Sequence, residues 1–136
     1  MAAIYVVNVD PETLAKHCVA ICEERKAENV ILFDVRETSV LADYYLLCTA
    51  TSMPHIRAIS DHLKVDVQGE FGLVPRAKEG DASSEWVIMD YGVVIVHILD
   101  GDRRRFYNVE ELWNQDRVVY RSSAADEAPA QQVPEF

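Results

Sequence analysis

The chain of 136 residues sets 23 Asp and Glu against 13 Lys and Arg, a formal charge of −10 at neutral pH, and is 49% hydrophobic. That is ample apolar material for one domain with its own core, and a chain of this size buries roughly two-thirds of its unfolded surface. The acidic balance argues against a general nucleic-acid binder, whose affinity comes largely from cations displacing counterions along phosphates, and no apolar run is long enough to span a membrane.

Met1–Asp10 has neither the basic start and apolar segment of a secretion signal nor the Arg-rich character of a transit peptide, so a cytoplasmic location is expected. Within it, Ile4–Val7 reads as a short strand or an arm. The first clear element opens at Asp10-Pro11-Glu12, with Asp10 as N-cap, Pro11 at the first helical position and Glu12 at the positive helix end. Leu14, Cys18, Ile21 and Cys22 then form one apolar stripe. Cys18 and Cys22 lie four apart, a spacing a metal can use, but no second ligand pair accompanies them. Together with Cys48 they read as core thiols in a reducing compartment.

Val30–Val35 predicts a buried strand, Glu37-Thr38-Ser39 a connection, and Asp43–Ala50 a second strand. Thr51-Ser52-Met53-Pro54 opens a helix capped by Ser52, with Ile56, Ile59, Leu63 and Val67 inward and Arg57, Asp61 and Lys64 outward. Gly69 and Gly72 end it, and Leu73-Val74 is expected to begin another strand before a polar loop, Lys78–Ser84. Trp86–Met89 and Val93–Leu99 are β-branched and aromatic runs separated by Asp90-Tyr91-Gly92, a pattern that predicts a hairpin. The second run is apolar on both faces and belongs inside the sheet. Trp86, Ile88 and Asp90 share a face of the first, which the chain itself covers only in part. Arg103–Trp113 reads as one or two short helices, and the Ala-, Pro- and Gln-containing stretch after it as a disordered tail, giving one domain over 1–120 and a tail over 121–136. The fold class is α/β: a mixed five-stranded sheet flanked by helices.

Several groupings bear on chemistry. Asp34, Asp43 and Asp90 stand at strand ends, where carboxylates can hold Mg²⁺ for nucleotidyl transfer. Such sites project two acids from one strand face two residues apart, and here Tyr45 follows Asp43 and Ile88 precedes Asp90 at that spacing. A metal-dependent nucleotidyltransferase is therefore the alternative rather than the leading reading. The four His residues, His17, His55, His62 and His97, form no ligand pair, and no nucleophile elbow or phosphate-binding glycine motif occurs. Thr49–Ser52 precedes a helix where phosphates bind, but without glycines it reads as a cap. Arg103-Arg104-Arg105, flanked by acids, reads as internally paired or solvated. What remains is an interaction surface: Trp86, Tyr91 and Tyr44 are large amphipathic groups at strand ends, the types that anchor interfaces.

From Asp43-Tyr44-Tyr45 through Cys48-Thr49-Ala50-Thr51-Ser52 and His55–His62, then Glu85–Gly92, Val94–His97, Arg104–Asn108 and Leu112-Trp113, the chain resembles the Iojap-related ribosomal silencing factors. Ala50 departs from that family's pattern, where Gly is common, and so does Val93, where an acid is common. The resemblance implies a nucleotidyltransferase-like fold lacking the catalytic carboxylates, no enzymatic activity and no cofactor. It also implies binding to the basic fourteenth protein of the large ribosomal subunit, where it would block joining of the small subunit and repress translation. Contacts to that partner map onto Trp86, Ile88, Asp90 and Tyr91, with His97, Arg104 and Arg105 beside them. No membrane contact or sequence-specific nucleic-acid binding is expected, and an exposed strand edge leaves room for a homodimer.

Overall fold

The structure, a computed structural model, describes residues 9–113 and 117–122. The anticipated N-terminal strand or arm at Ile4–Val7 and most of the anticipated tail lie outside these residues.

Helix α1 (Pro11–Glu24) starts as its sequence dictates: the Asp10 carboxylate accepts from the Thr13 backbone N–H at 3.0 Å and Pro11 occupies the first turn. Strand β1 (Glu28–Asp34) runs antiparallel to β2 (Tyr44–Ala50). Helix α2 (Met53–Phe71) is capped by Ser52, whose hydroxyl accepts from the His55 N–H at 3.1 Å, and it ends at Gly72 with φ +70°. Its buried residues Ile56, Ile59, Leu63 and Val67 are the stripe expected from the sequence, whereas Gly69 lies inside the helix rather than at its end.

Strand β3 (Ala77–Glu79) and a 3-10 turn (Ala82–Ser84) then lead to β4 (Trp86–Asp90) and β5 (Val94–Asp100). The hairpin forms as predicted: Trp86 pairs with Leu99 and Asp90 with Ile95, Gly92 turns at φ +89°, and Asp90 Oδ1 accepts from the Gly92 N–H at 2.7 Å. Helix α3 (Gly101–Tyr107), a 3-10 segment (Val109–Trp113) and β6 (Arg117–Arg121) follow.

Among the described residues the sheet has six strands, not five, in the order β3-β4-β5-β2-β1-β6, with β2 and β5 parallel and the remaining neighbours antiparallel. Both differences from expectation arise at the edges. Leu73-Val74 makes no strand, because the neighbouring β4 ends at Asp90, which already pairs with Ala77; Leu73 packs into the helix-side core and Val74 faces solvent. β6 is exposed along its whole length, so no buried face stamps a period on its sequence. It runs through Arg121, and the Ser122 N–H donates to the Val30 carbonyl at 2.8 Å.

The two sheet faces are covered unequally. On one face, α1 and α2 lie over Val30, Leu32, Leu46, Cys48, Val87, Met89, Val94, Val96 and Ile98, all buried. Each fully buried Leu, Ile or Val there contributes about 1.5–3 kcal/mol. On the other, α3 and the 3-10 segment cover only one end, above Ile31, Phe33, Leu47 and Leu99 through Val109 and Trp113.

Candidate functional site

Strand alternation places Trp86, Ile88 and Asp90 of β4, Ile95 and His97 of β5 and Tyr45 of β2 on the face away from α1 and α2. Where α3 ends, this face lies open. A depression of about 310 Å³ is lined by Leu41, Tyr45, Ile88, Asp90, His97 and Trp113 among others. Beside it a wider one of about 460 Å³ is lined by Gly80, Ser84, Trp86, Arg103 and Tyr107, and Glu79 and Ile88 border both. The two form one groove across the sheet.

The floor is aromatic. The His97 ring stands 5.0 Å from Trp113, 6.1 Å from Tyr45 and 6.3 Å from Trp86, Tyr45 packs on Trp113 at 4.8 Å, and Trp86 packs on Tyr107 at 5.6 Å. The Trp86 indole N–H donates to His97 Nδ1 at 3.3 Å. Burial pushes the His97 imidazole down to about 4, so it is neutral near pH 7. Asp90 is fixed by the Gly92 N–H and by Arg76 Nε at 3.1 Å. The wall formed by Leu41 stands on an ordered turn, where Ser39 Oγ accepts from the Leu41 N–H at 2.9 Å and lies 3.3 Å from the Tyr45 hydroxyl. That turn presents Val40 and Leu41 to solvent, 100% and 64% exposed.

Of the residues expected to contact a partner, the fold brings together Trp86, Ile88, Asp90 and His97. Tyr91 is not with them. It continues the alternation of Val87 and Met89, lies beneath the helices at 8% exposure, and is held in the core. Arg104 is also structural: 5% exposed, it donates through Nη1 to the Asn29 carbonyl at 2.8 Å and Thr49 Oγ1 at 2.7 Å, clipping α3 to the sheet. Arg105 is exposed on α3 and bonds to Asp102. Tyr44, expected among the anchors, is buried on the helix side, and its neighbour Tyr45 takes the open face instead. Trp113, Tyr107, Leu41 and Arg103 were not anticipated at this site. The exposed Val40-Leu41 pair in a polar connection was the one signal for Leu41.

Two of the three strand-end carboxylates, Asp34 and Asp90, are held in ion pairs. Asp34 accepts from Arg36 Nε at 3.0 Å and Nη2 at 2.7 Å and from Arg117 at 2.8 Å, and the Arg36 guanidinium holds its carboxyl well below the usual range. Asp90 is paired with Arg76. Among the described residues no group of three His, Cys, Asp or Glu is arranged to hold a metal ion. All three cysteines are free and buried; Cys22 and Cys48 lie 3.9 Å apart, and burial pushes Cys18 up to about 12. No helix among the described residues is long and apolar enough to cross a membrane.

Residues 8–135 match the family model described as "Ribosomal silencing factor during starvation". The chain is 33% identical over 105 residues to the ribosomal silencing factor of Bacillus subtilis, covering 77% of this chain and 88% of that protein. It is 30% identical over 100 residues to the mitochondrial Iojap-related protein of Arabidopsis thaliana, covering 71% of this chain and 54% of that one. A crystal structure of a Bacillus halodurans protein superposes with a TM-score of 0.69 at 32% identity, covering 80% of this chain and 98% of that one.

Proposed function

Since the chain belongs to the ribosomal silencing factor family, we propose that it represses translation without enzymatic chemistry, by seating its open sheet face on the large ribosomal subunit. The partner in this reading is the basic fourteenth protein of that subunit, at the surface where the small subunit docks. Occupying that surface keeps the two subunits apart, and the site of action is the cytoplasm. The carrying observation is the groove itself: Trp86, Tyr107, Tyr45 and Trp113 are half-buried or exposed around Ile88 and His97, on a face that the chain's own helices leave uncovered at one end.

Two physical arguments support this assignment. Aromatic groups held in place by their neighbours bury large areas at little entropic cost, which is what interface anchors do. The net charge of −10 accelerates encounter with a basic partner, and Glu79 and Asp90 stand on the groove rim. Arg104 and Tyr91 act in this account by supporting the fold, not by touching the partner.

Sedimentation with separated ribosomal subunits tests the proposal. The wild-type chain is expected to travel with the large subunit and not with the small one, and Trp86→Ala to shift largely to the top of the gradient. A wild-type chain left at the top with both subunits would overturn it.

A further inference from the structure

His97 stands among the ring systems of the groove floor, and its two ring nitrogens are not equivalent. The indole of Trp86 has an N–H and no acceptor, so the 3.3 Å contact between Trp86 Nε1 and His97 Nδ1 is possible in one sense only. Nδ1 must carry the lone pair. In a neutral imidazole the proton then sits on Nε2. Among the described residues, no acceptor bonds to that nitrogen. Asp90, one of the two carboxylates lining the same depression, is already engaged by Gly92 and Arg76.

Resting on the functional reading above, we infer that His97 is the specificity-determining donor of this face, offering a fixed Nε2–H to a main-chain carbonyl of the docked ribosomal protein. A carbonyl fits better than a carboxylate, because Glu79 and Asp90 line the same depression and the whole chain is acidic. Tyr45 and Trp113 pack against the ring, their centroids 6.1 Å and 5.0 Å from it, and oppose a turn about Cβ–Cγ that would carry Nδ1 away from the Trp86 indole. The ring therefore meets the partner with its donor already oriented, and a partner segment offering only apolar groups would leave that donor unpaired on docking.

Two measurements test this. Nitrogen-15 NMR of the free protein, labelled at histidine, should show His97 as the Nε2-protonated tautomer, and Trp86→Phe should produce a mixture of the two tautomers. A His97 found protonated at Nδ1 overturns the inference without reference to any partner. In binding to isolated large subunits, His97→Gln places an amide N–H near the Nε2 position and should stay within about threefold of wild type, whereas His97→Phe should lose about tenfold, the worth of one hydrogen bond. Thermal melting confirms that each variant is folded. Equal binding by wild type and His97→Phe would sink this inference and leave the functional reading standing; a wild type that does not bind sinks both.

Discussion

The burial that holds His97 near 4, against an ordinary value of 6.5, ties stability to pH. The unfolded chain takes up a proton at this residue as pH falls below about 6.5, and the folded chain does so only below about 4. The stabilisation is complete above the unfolded value and is lost as pH falls through the folded one, at most about 3 kcal/mol at this site. Urea unfolding between pH 7 and pH 4 should therefore show a decline that His97→Phe makes shallower; parallel profiles would contradict it. Trp86 is half-buried, so Trp86→Ala should cost less than the ~3–5 kcal/mol of a fully buried aromatic, and its larger effect should appear in binding. Arg104→Ala should do the reverse. It leaves the Asn29 carbonyl and Thr49 hydroxyl without their donor, at about 2–4 kcal/mol in urea unfolding, with large-subunit binding by the folded protein unchanged. A loss of binding without a loss of stability would put Arg104 back at the interface. The thiols make a simpler case: with Cys18, Cys22 and Cys48 buried, iodoacetamide should label none of them until denaturant is added. Tyr44 and Tyr45 show why single residues were hard to place from sequence. β2 is apolar on both faces, so alternation says that the two tyrosines oppose each other but not which one faces out. The pairing of β2 with β5 decides it.

Elements were legible where a local signal and a buried face agreed. Asp10-Pro11 starts α1, Ser52 starts α2 and Asp90 with Gly92 makes the β4–β5 turn, each through a side-chain oxygen that accepts from a backbone N–H a few residues on. Edge strands carry neither signal. β3 is Ala-Lys-Glu and wholly exposed, and β6 pairs on one side only. The turn between β3 and β4 has a requirement that shows only in three dimensions. Gly80 stands at φ +77°, and a Cβ there would lie 2.1 Å from the Trp86 carbonyl oxygen. That carbonyl belongs to the residue that floors the groove, so Gly80→Ala must displace backbone at the start of β4. The substitution should lower stability by more than the ~1 kcal/mol typical of point mutants and should weaken large-subunit binding along with it. A variant as stable as wild type would show that the turn relaxes without moving Trp86.

At the scale of the whole molecule, the organising feature is the asymmetry of the sheet. Two long helices seal one face, while one short helix and a 3-10 segment shelter part of the other and leave its aromatic floor accessible. The α/β class, the central place of β5 and the partly uncovered face of β4 were all readable from apolar periodicity. Which aromatics complete the groove was not, since Trp113, Tyr107 and Leu41 reach it from segments distant in sequence. The acidic surface acts at long range, so raising ionic strength should slow association with the large subunit more than it speeds dissociation. Salt that altered only the dissociation rate would remove charge from the account. The central claim is that this face acts by being in the way. Light scattering on mixing purified large and small subunits reads subunit joining directly. Large subunits first saturated with the wild-type chain should join slowly and incompletely, and those treated with Trp86→Ala should join as freely as untreated ones; joining that is equally fast and complete with and without the wild-type chain would contradict it.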